Sequence, residues 1–205
     1  MAEADESRRL LAVVLAGGLA RRMGGGDKPL VELGGQPLLR HILDRLCPQV
    51  SGLALNANED PARYRGFGLP ILPDSVPGRP GPLAGILAAL DWAVAMGADH
   101  VLTVPGDTPF LPRDLAARLD CRVRAGAPAA IAASGGRRQP IAGLWPVSAR
   151  DALRRSISDD GLRRADEWAR SLGAVVVDFA IAPVDPFFNL NAPVDLAEAE
   201  RLLNL

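Results

Sequence analysis

The feature that most constrains the fold is an apolar run near the amino terminus that stops at two glycines. The run at residues 10–16 is short, and Val13 and Val14 within it are β-branched. Both features are typical of a strand buried on both faces. Gly17 and Gly18 follow directly, and their missing side chains let a ligand approach the backbone closely. The stretch therefore predicts a buried strand that ends at a ligand-binding loop.

The segment after these glycines combines flexibility with positive charge. Arg21, Arg22 and Lys28 flank three glycines at 24–26. Backbone N–H groups and cationic side chains both stabilise phosphate oxygens, so the segment is typical of a polyphosphate site. The same residues also fit a glycine-rich surface turn with solvated arginines, and this segment alone leaves both interpretations open.

Two common nucleotide-binding loops do not match this segment. Lys28 is followed by Pro29, whereas a P-loop carries Ser or Thr after its lysine to hold Mg²⁺. The glycines at 17–18 also lack the G-x-G-x-x-G spacing of a dinucleotide fold, which disfavours hydride transfer.

Beyond this loop, short apolar runs alternate with segments of helical periodicity. The runs predict strands at residues 10–16, 52–56, 69–73, 101–104 and 174–178, a short extended piece at 29–33, and an antiparallel pair at 129–133 and 140–145. The periodic segments predict helices at 39–46, 83–97, 112–123, 147–157, 162–172 and 193–203. The alternation predicts an α/β fold: a single three-layer Rossmann-like domain over residues 10–205 with a mostly parallel central sheet. Residues 1–9 are expected to form a disordered tail.

Polar residues lie at the carboxyl ends of three of the predicted strands. Asn56, Asp74 and Asp107 each come after an apolar run, and ligands of open α/β sheets bind at the carboxyl ends of the strands. Each of these residues is also a common turn residue, because Asn and Asp side chains bond their local backbone. Together with Gly17 and Gly18 they predict one binding edge.

Composition limits the class of protein and its partners. The 205 residues are 48% hydrophobic and 23% charged with a net charge of -1, which disfavours disorder and bulk electrostatic binding of nucleic acid. No apolar run approaches the roughly 20 residues of a membrane span, and residues 1–9 lack the apolar core of a signal peptide. Cys47 and Cys121 match no metal or redox spacing. We expect a soluble cytoplasmic protein that binds neither nucleic acid nor membrane.

The ionisable side chains favour phosphoryl chemistry. The chain has two histidines, His41 within a predicted helix and His100 before a predicted strand, and a structural or surface role is expected for each. No serine or cysteine lies on a nucleophile elbow. A cationic loop and a strand-end carboxylate suited to a hard metal ion indicate catalysis by positioning and charge neutralisation.

A series of short motifs carries a family resemblance. In chain order they are Leu15-Ala16-Gly17-Gly18, Arg21-Arg22-Met23-Gly24, Asp27-Lys28, Asn56-Ala57-Asn58, Asp74, Pro80-Gly81-Pro82-Leu83-Ala84-Gly85 and Asp107-Thr108-Pro109. The pattern, which runs from Leu11 to about Leu203, resembles the molybdenum cofactor guanylyltransferases of the nucleotide-diphospho-sugar transferase-like α/β superfamily. The first motif alone marks the superfamily. The proline–glycine motif at 80–85 and the later Phe188-Asn189-Leu190-Asn191 narrow it to the guanylyl branch.

The resemblance implies transfer of GMP from GTP to the phosphate of Mo-molybdopterin, with release of pyrophosphate and with Mg²⁺ as cofactor. The residues it implies for binding the nucleotide are Leu15, Ala16, Gly17, Gly18, Lys28, Asn56, Asp74 and Asp107. Leu15, Ala16 and Gly17 would lie against the guanosine, and Asn56 and Asp74 would bind the nucleoside.

The resemblance also implies which residues act on the phosphates and on the second substrate. Lys28 would meet the triphosphate, Asp107 would hold Mg²⁺, and Arg22 would belong to a loop that closes over the triphosphate. Asn189 and Asn191 would face the molybdopterin. The expected partners are GTP, Mo-molybdopterin, and molybdoenzymes or their chaperones, for a protein that acts as a monomer.

Two segments depart from the family pattern. Leu19 and Ala20 stand where family members often carry small polar or charged residues, and Arg137 and Arg138 make another segment unusually basic. The two arginines are candidate contacts for the pterin phosphate or a partner, or a solvated hairpin tip. Trp145 is a candidate for stacking on a pterin, as is the aromatic ring at position 188, although aromatic rings near strands more often belong to the core.

Other functions remain open from the sequence. The nearest alternatives are a molybdopterin cytidylyltransferase and a sugar-phosphate nucleotidyltransferase. An alternative of another class is a nucleotide-binding regulator without turnover, which the presence of both Lys28 and Asp107 disfavours.

Overall fold

The computed structural model describes residues 10–17, 28–77 and 81–203. Nine strands are found in this part of the chain: β1 (Leu11–Leu15), β2 (Glu32–Leu33), β3 (Gln36–Pro37), β4 (Gly52–Asn56), β5 (Ile71–Leu72), β6 (His100–Pro105), β7 (Ala130–Ser134), β8 (Arg137–Pro146) and β9 (Val175–Phe179). Seven of them form one sheet in the order β5-β4-β1-β6-β8-β7-β9, and β2 and β3 form a small separate pair. Within the main sheet only β8 runs antiparallel to its neighbours. The predicted mostly parallel sheet is confirmed.

Helices cover both faces of this sheet. They are α1 (Leu38–Leu46), α2 (Pro82–Ala95), α3 (Leu115–Arg124), α4 (Arg150–Ser158), α5 (Ala165–Ser171) and α6 (Pro193–Leu202). Side chains alternate between the faces along a strand, so Ala12 and Val14 of β1 pack towards α1 and α3. Leu11 and Val13 pack on the opposite face, towards α2, α4 and α5. The sheet is therefore covered by helices on each face, which gives the three-layer α/β architecture that the sequence predicts.

A third, smaller cluster holds α6 in place. Leu190 and Ala199 are fully buried against Leu33, Leu38 and Phe110. The carboxyl-terminal segment therefore packs beside the β2–β3 pair and the start of α1, close to the carboxyl ends of the central strands.

Several predicted boundaries need correction. Residues 28–30 form a 3-10 helix and only Glu32–Leu33 is strand, where 29–33 was expected to be extended. The strand predicted at 69–73 shortens to β5 because only Ile71 and Leu72 pair with β4. Along α2, Val94 is exposed although it lies four residues after the buried Leu90, while Ala93 is buried.

Three helices begin later than periodicity predicts. The helix predicted from residue 112 starts at Leu115, after a turn that Pro112 closes through its carbonyl. The helix predicted from 147 begins with a 3-10 turn, and the one predicted from 162 begins at Ala165. Hydrophobic periodicity shows which face of a helix is apolar, but the residue at which the helix begins depends on local geometry. The tail predicted at residues 1–9 lies outside the described residues. Among the helices of the described part, none combines the length and the apolar composition that a membrane span requires.

Candidate functional site

The centre of the site is the carboxyl edge of three adjacent parallel strands. Leu15 of β1 lies opposite Asn56 of β4 on one side and Pro105 of β6 on the other. The Ala16 amide donates to the Asn56 carbonyl at 2.8 Å, and the Gly106 amide donates to the Leu15 carbonyl at 2.9 Å. These bonds continue the sheet one residue beyond its strands, so the loops after them start from fixed positions.

A cleft of about 350 Å³ opens at this edge. Its lining includes the predicted site residues Leu15, Ala16, Gly17, Lys28, Asn56, Asp74 and Asp107. It also includes Pro29, Asn58, Gly81, Pro82, Pro105, Gly106 and Ile141, which the sequence-based site omits. Residues from seven separate stretches of the chain therefore meet in one concave surface. Gly18 and Arg22 lie outside the described residues.

Asp74 is the acceptor at the centre of an amide cluster on one wall of this cleft. Its carboxylate accepts hydrogen bonds from Asn56 Nδ2 at 3.0 Å and from Asn58 Nδ2 at 2.8 Å. Asn58 Oδ1 in turn accepts from the Asp74 amide at 2.8 Å, and Asn56 Nδ2 also donates to the Leu72 carbonyl at 3.0 Å. The cluster presents fixed amide and carboxylate groups, which suit recognition of hydroxyl and amino groups of a nucleoside.

The amino-terminal turn of α2 closes the cleft behind Asn56. Gly81 precedes the helix with φ of 86°, a left-handed conformation that favours glycine. Gly85 is buried so tightly that an added Cβ would lie 2.5 Å from Asn56 Oδ1. The geometry therefore requires two glycines of the proline–glycine motif at 80–85. The sequence indicated that this motif matters, but only the structure shows that it supports the side chain of Asn56.

Glycine 106 has a similar steric requirement at the end of β6. A Cβ at Gly106 would lie 2.9 Å from the Leu15 carbonyl oxygen and 3.1 Å from Ala16 Cα. The following turn is closed by the Thr108 hydroxyl, which donates to the Pro105 carbonyl at 3.2 Å. The backbone of β6 can therefore approach β1 closely while Asp107 is held at the opening of the cleft.

Lys28 contacts side chains from two distant parts of the chain at the site. Its Nζ donates to Asp107 Oδ2 at 2.5 Å and to Asn191 Oδ1 at 2.7 Å. Lys28 is only 8% exposed, so burial strengthens the electrostatic part of both contacts. An ammonium group and a carboxylate at this position can meet, respectively, the oxygens of a phosphate chain and a cation bound to it.

A second cavity of about 400 Å³ adjoins the first. The two share the lining residues Pro82, Pro105, Asp107 and Ile141. The second cavity also contains Asn189, Arg163 and Arg164. Asp107 thus lies at the junction of a cavity rich in amide groups and a cavity with cationic walls, an arrangement that suits two substrates meeting at one point.

Arg138 and Trp145, two candidates for contact with a pterin, have other partners in the structure. Arg138 forms an ion pair with Asp166, Nε to Oδ1 at 2.7 Å, and Asp166 also pairs with Arg170 at 2.6 Å, so Arg138 serves the packing of β8 against α5. Trp145 is fully buried and donates to the Thr103 hydroxyl at 2.8 Å. Its predicted alternative as a core residue is the one the structure supports.

The two histidines have no place in the cleft. His41 Nε2 lies 2.8 Å from the Leu33 carbonyl oxygen, which ties α1 to the β2–β3 pair. His100 begins β6, at the opposite edge of the sheet from Asp107. Among the described residues, neither cavity is lined by a histidine, cysteine or serine.

The donor set near Asp107 fits a cation held partly by substrate. The described part of the chain has no group of three or more His, Cys, Asp or Glu side chains that could hold a metal ion by themselves. Mg²⁺ typically binds through one or two carboxylates, with substrate phosphates and waters completing its shell. Asp107, partly exposed and facing both cavities, matches that mode.

The sequence is similar to known proteins over nearly its whole length. Residues 12–174 match the sequence model of the MobA-like NTP transferase domain, so α6 and Asn191 lie beyond the matched region. A molybdenum cofactor guanylyltransferase from Rhodopseudomonas palustris strain BisB5 is 53% identical over 194 residues, covering 93% of this chain and 92% of the relative. One from Nitrobacter hamburgensis is 50% identical, covering 94% of each.

Solved structures share the fold. Molybdopterin-guanine dinucleotide biosynthesis protein A from Archaeoglobus fulgidus superposes with a TM-score of 0.73 at 26% identity, covering 95% of this chain and 98% of the other. A 4-diphosphocytidyl-2C-methyl-D-erythritol synthase from Anaerococcus prevotii gives a TM-score of 0.75 at 15% identity, covering 97% of both chains, and shows the fold alone. The resemblance inferred from the short motifs is confirmed, and the chain belongs to the MobA-like NTP transferase family.

Proposed function

We propose that this protein transfers GMP from GTP to the terminal phosphate of Mo-molybdopterin and releases pyrophosphate. Relatives about 50% identical over nearly full length carry the name molybdenum cofactor guanylyltransferase. The observation that carries the proposal is the junction at Asp107, where a cleft lined by amide groups meets a second cavity with cationic walls. Two cavities that share the Asp107 carboxylate, with Lys28 beside it in the first cavity, suit the joining of two phosphate-bearing substrates.

The first cavity is proposed to bind GTP. Leu15, Ala16 and Gly17 lie along one wall, where they would pack against the guanosine, while Asn56 and Asp74 offer side-chain groups to the nucleoside. The hydrogen bonds between Asn56, Asn58 and Asp74 hold these groups in place before the ligand arrives, which lowers the entropic cost of binding. Gly18 and Arg22, also proposed for the nucleotide, lie outside the described residues.

The proposed reaction needs no general base. A phosphate oxygen of Mo-molybdopterin attacks the α-phosphorus of GTP and forms a new P–O bond. The bond from the α-phosphorus to the oxygen that bridges to the β-phosphorus breaks, and pyrophosphate leaves with that electron pair. The attacking oxygen is already ionised, so catalysis reduces to positioning and charge neutralisation. The described lining, which lacks histidine, cysteine and serine, fits this requirement.

Lys28 and Asp107 are the proposed catalytic residues. The Lys28 ammonium compensates negative charge that shifts to the leaving pyrophosphate. Asp107 would hold Mg²⁺, which when bound supplies further neutralisation of phosphate charge. Because Lys28 Nζ and Asp107 Oδ2 are 2.5 Å apart, both groups act on the same few ångströms of the phosphate chain.

The second cavity is proposed to bind the acceptor. Asn189 lies in its lining, and Asn191 reaches the same junction through its bond to Lys28. Arg163 and Arg164 add positive charge to this cavity, which suits an anionic pterin phosphate.

The test is a pyrophosphate-release assay with Mg²⁺, Mo-molybdopterin and, in separate reactions, GTP, CTP and ATP. We expect release with GTP that requires the acceptor. Preference for CTP would replace the proposal with cytidylyl transfer. Nucleotide binding without any release would favour a regulator, and release with sugar 1-phosphates as acceptors would favour sugar-nucleotide synthesis.

Some expectations rest on the sequence alone. They are the monomeric state, the cytoplasmic location, the partner molybdoenzymes or chaperones, and the lack of nucleic acid and membrane binding. Each stays a prediction.

A further inference from the structure

The lysine at the junction depends on a segment that packing alone does not hold. Asn191, whose Oδ1 accepts from Lys28 Nζ at 2.7 Å, is an exposed residue. Its neighbour Leu190 is fully buried, but burial of one side chain leaves the next residue free to rotate about the backbone. Hydrogen bonds of the backbone must therefore set the direction in which Asn191 points.

Asp195 in the first turn of α6 supplies those bonds. Its Oδ2 accepts from the Asn191 amide at 2.7 Å and from the Ala192 amide at 2.8 Å. A carboxylate that accepts two backbone N–H bonds at a helix amino terminus is a strong, charge-assisted restraint. A further bond, from the Leu190 amide to the Asp107 carbonyl at 3.1 Å, fixes the other side of Asn191.

We propose that Asp195 is a positioning residue, which orients Asn191 so that its amide oxygen and the Asp107 carboxylate together hold the Lys28 ammonium at the junction of the two cavities. The chain of contacts is continuous from Asp195 through the Asn191 backbone and side chain to Lys28. It links α6, which lies beyond the region matched by the family model, to the lysine proposed to act on the phosphates. The inference rests on the proposed function only for its kinetic consequence.

The geometry also explains why two acceptors are needed. An ammonium group has three N–H donors that rotate freely about one bond, so a single carboxylate partner leaves its direction loosely defined. Asn191 adds a second fixed acceptor to Asp107, and two acceptors direct the third donor to one side. Loss of the Asp195 restraint would leave Lys28 charged and close to Asp107 but less well aimed at a phosphate oxygen.

The kinetic test compares Asp195→Ala with Asp195→Asn and with the control Glu198→Gln on the same helix. Glu198 pairs with Arg201 away from the junction. We expect Asp195→Ala to lower kcat/KM for GTP roughly ten- to hundredfold, by analogy with residues that orient a metal ligand, whose removal typically costs this much. Asp195→Asn keeps an oxygen that can accept both amides and should retain most of the activity, and Glu198→Gln should match the unaltered protein.

A double-mutant cycle distinguishes positioning from a general loss of structure. In a Lys28→Ala background, Asp195→Ala should lower kcat/KM little further, because the group it positions is gone. Equal fold-losses in the presence and absence of Lys28 would overturn the proposal, as would an Asp195→Ala protein with unchanged kinetics. If Asp195→Ala folds poorly by thermal unfolding, Asp195→Ser, whose shorter hydroxyl cannot serve both amides, takes its place in the cycle with the same expected outcome.

A second readout is independent of the proposed reaction. The rate at which an amine-acylating reagent modifies Lys28, followed by peptide mass spectrometry, reports how firmly the ammonium is held. We expect faster modification in Asp195→Ala and Asn191→Ala than in the unaltered protein or Glu198→Gln. Should the unaltered protein show no GTP turnover, the proposed function fails while this comparison still decides the role of Asp195; equal rates in all four proteins would refute it.

Discussion

Substitution of Gly85 by alanine tests whether α2 supports the nucleotide site through Asn56. Gly85 is buried in the first turns of α2, and a Cβ built there lies 2.5 Å from Asn56 Oδ1 and 3.1 Å from Leu15 Cδ2. Backbone and strand cannot move apart easily in a packed interior. The side chain of Asn56 is therefore the group that must rotate.

The size of the effect follows from the contacts that this rotation breaks. Asn56 Nδ2 would lose its bonds to the Leu72 carbonyl and to Asp74 Oδ1, both at 3.0 Å. Two such bonds are worth about 1–3 kcal/mol, whereas alanine in place of glycine gains about 1 kcal/mol in a helix interior. The net loss of unfolding free energy is then about 0–2 kcal/mol, and the melting temperature should fall by no more than about 8 °C.

Nucleotide binding should suffer more visibly than stability. The displaced Asn56 amide would lose one hydrogen bond to the nucleoside, which is worth about 0.5–1.5 kcal/mol. This loss corresponds to a roughly two- to twelvefold weaker affinity for GTP. Titration calorimetry with GTP and Mg²⁺ measures the affinity, and calorimetric melting measures the stability.

The matched control is Gly66→Ala. A Cβ at Gly66 has no atom within 4 Å, and the residue does not adopt a positive φ, so both its melting temperature and its GTP affinity should stay near those of the unaltered protein. A Gly85→Ala protein that binds GTP as tightly as this control would refute the role assigned to Asn56 and to its support by α2.

Three further substitutions address the phosphate site and the core beneath it. Asp107→Ala should abolish Mg²⁺-dependent pyrophosphate release while circular dichroism stays unchanged; release at the original rate would exclude its proposed metal role. Lys28→Ala should weaken binding of GTP more than binding of guanosine, because a point charge facing phosphates is lost, and equal weakening of both would contradict this. Thr103→Val should lower the unfolding free energy by about 1–3 kcal/mol, since the hydroxyl donates to the Ile141 carbonyl at 2.6 Å and accepts from Trp145 Nε1 at 2.8 Å in a fully buried setting. An unchanged melting temperature in denaturation scans would show that this buried network contributes nothing.

Two of the central strands could be predicted closely because each carries its own local signal. The apolar run at 10–16 and the strand end at Asn56 are set by hydrophobicity and by residues that favour turns, and both lie within one residue of their predicted positions. Helix starts were less accurate, as at Leu115, because the first turn depends on capping contacts that periodicity does not contain.

The site was predictable only in part. Residues at strand ends, such as Asp74 and Asp107, could be assigned to one edge because parallel strands share their direction. Ile141 could not, since it comes from β8, the one antiparallel strand of the main sheet, and reaches the cleft only through its pairing with β6. Asn58 lies within the Asn56-Ala57-Asn58 motif, but its hydrogen bond to Asp74 is evident only from the structure.

The sequence by itself determined the α/β class, the order of the strands along the chain and the family, because short-range patterns and motifs encode them. Only the tertiary structure decided which residues touch. Lys28 and Asn191 are 163 positions apart, and their contact depends on how α6 packs through Leu190 and Ala199. Such a contact depends on the burial of apolar surface across the whole molecule. The residues near Lys28 in the sequence therefore cannot predict it.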